Sequence, residues 1–186
     1  MNINELKQLM KEVEKLCLGS KLELIDGKVY TITTPSRMHQ FLSMHISARI
    51  QNHIDKNNGK CHTYTAPIGV RLFADDETWV EPDILVVCNR KDILTEQGCD
   101  GAPDLIVEIV SPINSFHDYV TKLLNYQKAG VREYWIVDPE TERVSVIHFE
   151  DTEKNAEYTY VDVVQSIVLE GFEIRIADFI EEFKCN

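Results

Sequence analysis

Glu108 is the residue most suggestive of chemistry, because its carboxylate interrupts the otherwise apolar run DLIVEIV. Burying an unpaired carboxylate costs roughly several kcal/mol unless its pKa shifts, a cation pairs with it or a metal binds it. Asp83 directly precedes ILVV, which is a neighbouring β-type run. If both carboxylates converge in a cleft, their oxygens suit Mg²⁺ or Mn²⁺. The alternative is that Asp83 only caps its strand while Glu108 pairs with an internal Arg or Lys.

Lys122 is the basic residue best placed to serve such a site. It lies four residues after Asp118, so both side chains project from one side of the helix that follows the Glu108 strand. At the edge of an apolar stripe, the lysine stem can run along the core and direct its ammonium toward the sheet. That ammonium could neutralise charge on a reacting phosphate or an attacking hydroxide. The alternative is a surface ion pair with Asp118, worth about 0.3–0.5 kcal/mol.

The elements that must position these side chains can be recognised from local patterns. The runs LELI and KVYTI flank an Asp-Gly turn at 26–27, which predicts a β-hairpin. A helix is predicted to begin at the Pro-Ser pair at 35–36 and to end at the Asn-Asn-Gly stop at 57–59. HTYTAP, GVRLF and DILVV are short strand-like runs. The nearly continuous apolar run around Glu108 predicts a central strand that is buried on both faces.

A second helix and a second hairpin follow. The helix begins at Ser115, with Asp118 as a capping-box acid, and Gly130 ends it. EYWIVD and RVSVIHF flank a turn, and the tail offers a weak strand near 158–161 and a final helix from about Ala177. The spacing predicts an inward helix face of Phe116, Tyr119, Val120, Leu123, Leu124 and Gln127. Together these elements predict an α+β domain with a mixed β-sheet flanked by helices.

Composition narrows the class of protein. The 186 residues are 44% apolar and 27% charged, which is typical of one globular domain. Lys and Arg total 19 and Asp and Glu total 31, so the formal net charge is −12. That charge argues against a protein that coats nucleic acid through bulk electrostatics. It leaves open an enzyme that contacts phosphates locally through a metal ion.

The cysteines are five in number, scattered, and without CxxC spacing. We therefore expect five free thiols, no zinc site and no disulfide framework, as in a cytoplasmic protein. The charged N-terminus does not resemble a secretion signal. Since no stretch of 18 apolar residues occurs, we also expect no membrane-spanning helix.

Several motifs occur in a characteristic order between residues 81 and 139. They read EPDILVV, GAPDLIVEIVSP, D-x-x-x-K and AGVREYWIVDP, and they are preceded by LELIDGKVY and PSRMHQ. This arrangement resembles the Uma family of restriction-endonuclease-like proteins, a branch of the PD-(D/E)xK nuclease superfamily. The resemblance implies one restriction-endonuclease-like domain over 1–186. Its parts are an N-terminal helix at about 4–17, a nuclease core at about 21–150 and a strand-and-helix tail at 156–186.

The resemblance also implies roles for particular residues. Asp83 matches the Asp of the PD motif, and Glu108 matches the acidic residue of (D/E)xK, so both would be metal ligands. Val110 occupies the usual place of the lysine, which in this family has moved to the following helix, where Lys122 fits. Glu23 in LELIDG matches an N-terminal acidic position and would be an additional ligand or base, with a solvated hairpin carboxylate as the alternative.

Two further residues have accessory roles by resemblance. His39 matches a family histidine near the cleft, although a helix-stabilising or core role fits it equally well. Asp118 begins the D-x-x-x-K motif. The family's usual Ser-Pro-Ser/Thr is Ser-Pro-Ile-Asn at 111–114, a departure that affects the loop and not the carboxylates.

The function implied by the resemblance is Mg²⁺- or Mn²⁺-dependent hydrolysis of phosphodiester bonds in DNA. One rival is a non-catalytic binding or regulatory module that keeps the fold. Another is a hydrolase of RNA or of other phosphodiesters, since the metal chemistry would be the same. The net charge of −12 predicts weak DNA binding unless metal, a partner or homodimerisation supplies a basic face.

Overall fold

Two large β-sheets and three α-helices make up the part of the chain that the structure describes. The structure is a computed structural model, and it describes residues 5, 21–32, 34–74, 76–110 and 116–184. The helices are α1 (Arg37–Lys56), α2 (Phe116–Ala129) and α3 (Ala177–Lys184). The strands are β1 (Lys21–Ile25), β2 (Lys28–Ile32), β3 (Cys61–Thr65), β4 (Gly69–Arg71), β5 (Trp79–Val80), β6 (Ile84–Cys88), β7 (Gly98–Asp100), β8 (Leu105–Ile109), β9 (Glu133–Asp138), β10 (Arg143–His148), β11 (Ala156–Thr159), β12 (Val164–Gln165) and β13 (Glu173–Ile174). The N-terminal helix predicted at about 4–17 lies, except for residue 5, outside the described residues.

The strands pair into two mixed sheets and one short ladder. One sheet has the order β2-β1-β5-β4-β7, the other has the order β11-β10-β9-β8-β6-β3, and β12 pairs with β13. The pairs β4–β7 and β8–β9 are parallel, whereas their neighbours are antiparallel. The predicted α+β class with mixed sheet and flanking helices is therefore confirmed. The sequence indicated a single sheet, because the pairing of distant strands such as β1 with β5 leaves no local pattern.

The predicted hairpin and first helix are both present. β1 and β2 pair from Lys21↔Ile32 to Ile25↔Lys28, and both turn residues at 26–27 have positive φ, as a two-residue hairpin turn requires. Helix α1 begins after Ser36, whose Oγ accepts a hydrogen bond from the backbone N–H of His39 at 3.1 Å. Although α1 spans 20 residues, no helix among those described is long and apolar enough to cross a membrane.

The six-stranded sheet is covered on both faces, and this explains why every residue of β8 is buried. On one face, Leu105, Val107 and Ile109 belong to a core that includes residues of α1 and α3. On the other face, Ile106 packs in a second core with residues of the five-stranded sheet and of α2. Because side chains alternate along a strand, Glu108 shares this second face with Ile106. The face that carries Glu108 therefore looks toward α2 and the five-stranded sheet.

Helix α2 connects the parallel strands β8 and β9, but its inward face differs from the predicted one. Val120, Leu124 and Gln127 are exposed, so their assignment to the inward face was wrong. From 119 onward, where the side chains of α2 are described, the buried residues are Asn125 and Tyr126, and only 12% of the Lys122 side chain is exposed. The face is rotated because Lys122 donates to the buried carboxylates of Glu23 and Glu108, while Asn125 donates to Asp26 in the hairpin turn. A hydrophobic pattern alone cannot reveal such partners.

The expectation of five free cysteines was wrong. Strands β3 and β6 pair in antiparallel register with Cys61 opposite Cys88, and these two residues form a disulfide. The sequence gives no sign of the bond, because it depends on the register of two strands whose cysteines are 27 positions apart. Cys99 is a free, buried thiol, and burial raises its pKa to about 11. Cys17 and Cys185 lie outside the described residues.

Candidate active site

Glu23 lies in the middle of β1, and its side chain is only 3% exposed. It therefore cannot be the solvated hairpin carboxylate that was the alternative interpretation. Its Oε1 accepts a hydrogen bond from the backbone N–H of Glu81 at 2.9 Å and another from Lys122 Nζ at 2.9 Å. The first contact fixes the carboxylate against the segment that leads into β6. The second directs the lysine of α2 toward the hairpin.

Glu108 lies next to the same lysine. Its Oε1 accepts hydrogen bonds from Lys122 Nζ at 3.0 Å and from the hydroxyl of Tyr126 at 2.7 Å. Lys122 and Tyr126 are four residues apart on α2, so they project from one side of the helix. The structure therefore places Lys122 between two buried carboxylates, and it is not the exposed residue that a surface ion pair with Asp118 would require. The side chain of Asp118 lies outside the described residues.

Asp83 lies one residue before β6, next to the Glu108 end of β8. The β6–β8 register includes Ile84↔Val107, and its continuation places Asp83 opposite Glu108. The Oδ2 atom of Asp83 accepts a hydrogen bond from the backbone N–H of Ile109 at 2.8 Å. Side chains of opposed residues share one face of a sheet. Asp83 therefore joins Glu23 and Glu108 in what we call the carboxylate cluster (Glu23, Asp83 and Glu108).

His39 contacts this cluster from α1. Its Nε2 lies 3.0 Å from Asp83 Oδ2, and the residue is buried. Its other ring nitrogen, Nδ1, is buried without a hydrogen-bond partner among the described residues. The histidine thus contacts the site directly, and it also receives the helix cap from Ser36. The position agrees both with a histidine near the cleft and with a helix-stabilising or core role. The helix cap uses only the backbone N–H of His39, so the ring is available to contact Asp83.

The electrostatics of the cluster follow from its burial. Burial raises the pKa of Glu108 to about 7; Lys122 and the Tyr126 hydrogen bond oppose this shift, while the charges of Asp83 and Glu23 reinforce it. Burial acts to lower the pKa of Lys122, but attraction to Glu108 and Glu23 outweighs it and raises that pKa above its usual value. Lys122 is therefore a cation at neutral pH. Burial, and then the charge of Glu108, raises the pKa of Tyr126 well above its usual value, so its hydroxyl stays a neutral donor.

The carboxylate oxygens of the cluster are chemically suitable ligands for Mg²⁺ or a similar ion. Within the described part of the chain, the hydrogen bonds to the cluster use Glu23 Oε1, Asp83 Oδ2 and Glu108 Oε1. The second oxygen of each carboxylate accepts no hydrogen bond within the described part of the chain, and none of the three is a fully buried, unpartnered atom. No group of three or more His, Cys, Asp or Glu side chains there is gathered around a metal position. Mg²⁺, however, typically binds one or two protein carboxylates together with water and substrate phosphate.

Sequence reasoning missed Tyr126, although its hydroxyl makes the shortest of the contacts to Glu108. A tyrosine four residues after a candidate lysine was available as a signal, because the two must share a helix face. Asn125 was missed as well. Its Nδ2 donates to Asp26 Oδ2 at 3.2 Å, so it ties α2 to the turn of the hairpin that carries Glu23.

Known proteins resemble this chain in sequence and in fold. The model of the Uma2 family, described as "Putative restriction endonuclease", matches residues 10–177. A protein of Synechocystis described as uncharacterised, slr1290, is 25% identical over 132 residues, which are 70% of this chain and 67% of that protein. The crystal structure of a "putative nuclease" from Anabaena variabilis superposes with a TM-score of 0.72 at 21% identity. That match covers 91% of this chain and 96% of the other.

Proposed function

Because the chain belongs to the Uma2 family of restriction-endonuclease-like proteins, we propose that it is a metal-dependent nuclease that hydrolyses phosphodiester bonds in DNA. The observation that carries the proposal is the contact of Lys122 with Glu23 at 2.9 Å and with Glu108 at 3.0 Å, beside Asp83. Buried acidic groups around one lysine are expensive to assemble for stability alone. Such perturbed groups cluster at functional sites.

Asp83 and Glu108 are the residues that would hold Mg²⁺ or Mn²⁺, with the backbone carbonyl of Ile109 as a further candidate. A bound ion of this kind supplies a water of lowered pKa and neutralises charge on the phosphate oxygens. The hydrogen bond from the Ile109 N–H holds Asp83 Oδ2 in place, which leaves Oδ1 for the ion. His39 holds the same Oδ2 from the other side and limits rotation of the carboxylate.

Lys122 and Glu23 have complementary roles in this proposal. The Lys122 ammonium offsets negative charge that develops on the phosphate or on the attacking oxygen. When no substrate is present, Glu23 Oε1 accepts a hydrogen bond from the ammonium and keeps it beside the reaction site. Glu23 is also a candidate additional ligand or base through its second oxygen. Removal of one such preorganised electrostatic contact typically lowers the rate by about 10²–10³.

The proposal that the substrate is DNA rests on the family, since the composition by itself predicts only weak binding to DNA. With a net charge of −12, attraction to a polyanion must come from local features. A divalent ion in the carboxylate cluster would supply part of that attraction, and a homodimer or partner could supply a basic face. Because the salt dependence scales with the number of phosphates contacted, affinity should fall only modestly as salt concentration rises.

The decisive experiment is a cleavage assay on supercoiled DNA, linear DNA and RNA with Mg²⁺, Mn²⁺ or EDTA. We expect metal-dependent cleavage of DNA and at least about a 10²-fold loss in Glu108→Gln. The matched control is Glu140→Gln, in an exposed turn, which should cleave like the wild type. Cleavage of RNA alone would change the substrate class. Cleavage that survives EDTA, or that Glu108→Gln retains, would refute the proposal.

One observation favours a second candidate, a non-catalytic module that keeps the fold. Lys122 satisfies Glu23 and Glu108 at once, so the buried charges are stable without any ligand. In that case the wild type would bind DNA in a gel-shift assay without cleaving it. Metal would then not change its affinity, and Glu108→Gln would bind equally well.

A further inference from the structure

The hydroxyl of Tyr126 is a buried donor whose single hydrogen bond within the described residues, at 2.7 Å, is to Glu108 Oε1. The ring is fully buried and packs edge-on against Tyr134, with the ring centroids 5.1 Å apart. It belongs to the core between α2 and the two sheets. The position of this hydroxyl is therefore set by packing on all sides and does not depend on a flexible side chain.

Tyr126 and Lys122 both donate to the same oxygen of Glu108. A carboxylate whose one oxygen is held from two directions has little freedom to rotate. Its other oxygen, Oε2, accepts no hydrogen bond from the described residues and is thus the atom left to meet a ligand. The arrangement selects which oxygen of Glu108 is available.

We propose that Tyr126 is a positioning residue that orients Glu108 so that Oε2 faces the divalent ion. This inference rests on the proposed function. Tyr126 touches neither substrate nor metal in this scheme, and it acts only through Glu108. Partners of this kind, which orient a metal-binding carboxylate from behind, typically change metal affinity or activity by about 10–100-fold when removed.

Lys122 alone could not provide this orientation during a reaction. Its ammonium has three protons, and two of them already serve Glu23 and Glu108. When the ammonium turns toward a phosphate or an attacking oxygen, its hold on Glu108 weakens. The Tyr126 hydroxyl keeps its hydrogen bond to Oε1 throughout, because the ring cannot follow the lysine out of the core.

The chain offers a closely matched test in the pair Tyr126→Phe and Tyr134→Phe. Each variant removes one buried hydroxyl from one of two adjacent rings and keeps the packing. The hydroxyl of Tyr134 has no hydrogen-bond partner among the described residues, so its loss should leave the site unchanged. Mn²⁺ binding is measured by calorimetry on each intact protein. Cleavage of the same DNA is measured across a range of Mg²⁺ concentrations.

We expect Tyr126→Phe to weaken Mn²⁺ binding by about 10–100-fold and to raise the Mg²⁺ concentration for half-maximal cleavage by a similar factor. The KM for DNA should stay within about twofold of the wild type, because Tyr126 acts on the ion and not on substrate binding. Tyr134→Phe should match the wild type in all three measurements.

Three results would overturn the inference, and they differ in what they mean for the proposed function. If the wild type binds Mn²⁺ and cleaves DNA while Tyr126→Phe equals Tyr134→Phe, only the positioning role fails. If the wild type neither binds Mn²⁺ nor cleaves, both the positioning role and the proposed function fail. Equal losses in the two variants would indicate a general packing effect and would also refute the positioning role.

Discussion

The carboxylate of Glu23 and the ammonium of Lys122 lie 2.9 Å apart, although 99 positions separate them in the chain. Glu23 belongs to the five-stranded sheet, whereas Lys122 belongs to the helix that crosses between two strands of the six-stranded sheet. This ion pair therefore joins the two layers at the point where the carboxylate cluster lies.

Replacement of Lys122 by methionine should impair both stability and cleavage. The variant keeps a long side chain but leaves Glu23 and Glu108 buried without their cation, which typically costs about 3–5 kcal/mol. We also expect cleavage to fall by about 10²–10³. Urea unfolding and cleavage rates measure the two effects. Lys128→Met, at an exposed position of the same helix, is the control, and a Lys122→Met protein with wild-type cleavage would remove the lysine from the mechanism.

The raised pKa of Glu108 predicts a specific pH dependence of stability. Burial moves this pKa from 4.5 to about 7, so between these values the folded protein binds more protons than the unfolded chain. Stability in EDTA should therefore be highest below about pH 4.5 for this group and fall as pH rises to about 7, by at most about 3 kcal/mol. The pKa of Lys122 lies above this window, so its contribution is constant there.

Urea unfolding at several pH values measures this effect through the difference between the wild type and Glu108→Gln. The variant cannot ionise, so subtraction cancels the other titrating groups. The difference should change across the window from pH 4.5 to 7 in the stated direction. A flat difference, or one with the opposite slope, would show that the pKa of Glu108 is not raised in the folded protein.

The Cys61–Cys88 disulfide predicts that a reducing agent destabilises the protein. The bond closes a loop with a sequence separation of 27, which corresponds to about 3–4 kcal/mol of stabilisation in the chain-entropy model. Urea unfolding with and without a phosphine reductant measures it. Cys99→Ala should keep the full response, because Cys99 is the free thiol, whereas Cys61→Ala should abolish it.

Thiol titration tests the same bond chemically. Two of the five cysteines are in the disulfide, so the denatured, unreduced protein should report at most three thiols. Five thiols would contradict the bond and would restore the expectation drawn from the sequence. From the sequence we propose that the protein is cytoplasmic. Reducing conditions in the cytoplasm would keep Cys61 and Cys88 as thiols. Thiols should therefore be titrated in two preparations, one purified in air and one purified with reductant.

Removal of the Glu133 carboxylate, which lies outside the carboxylate cluster, should strongly destabilise the fold. It is fully buried, and Trp135 Nε1, Ser166 Oγ and the backbone N–H groups of Ile167 and Val168 all donate to it at 2.6–3.0 Å. Glu133→Ala would leave these donors unsatisfied and should cost about 3 kcal/mol or more in the free energy of unfolding. The exposed Glu173→Gln is the control in urea unfolding. A loss below about 1 kcal/mol would indicate that water replaces the carboxylate.

The local elements of this fold were predictable because local residues determine them. The hairpin at 21–32 depends on its Asp-Gly turn, and α1 depends on the Ser36 cap and the stop that follows it. Strand β8 was recognisable because a strand covered on both faces must be apolar throughout. The carboxylate cluster was identified through motif order, since Glu108 alone fitted a structural ion pair equally well.

The features that were missed depend on contacts between distant segments. Strands β5 and β12 are two residues long and carry no periodicity of their own. The disulfide requires the β3–β6 register, and the inward face of α2 depends on carboxylates supplied by β1 and β8. Tyr126 was absent from the predicted inward face of α2, although its ring lies in the core and its hydroxyl contacts Glu108.

The proposed site lies on one face of the six-stranded sheet, and the C-terminal part of the chain packs mainly on the other face. Every residue that we assign to the site precedes position 130, whereas residues 143–184 contribute apolar side chains to the opposite face. The exposed turn at 140–142 is therefore a natural place to split the protein into two fragments. The first fragment would hold all the proposed reactive groups but lack β10, β11 and α3, and the second would hold these elements alone. Cleavage by a mixture of the two fragments, absent from either fragment alone, would then report reassembly of the core.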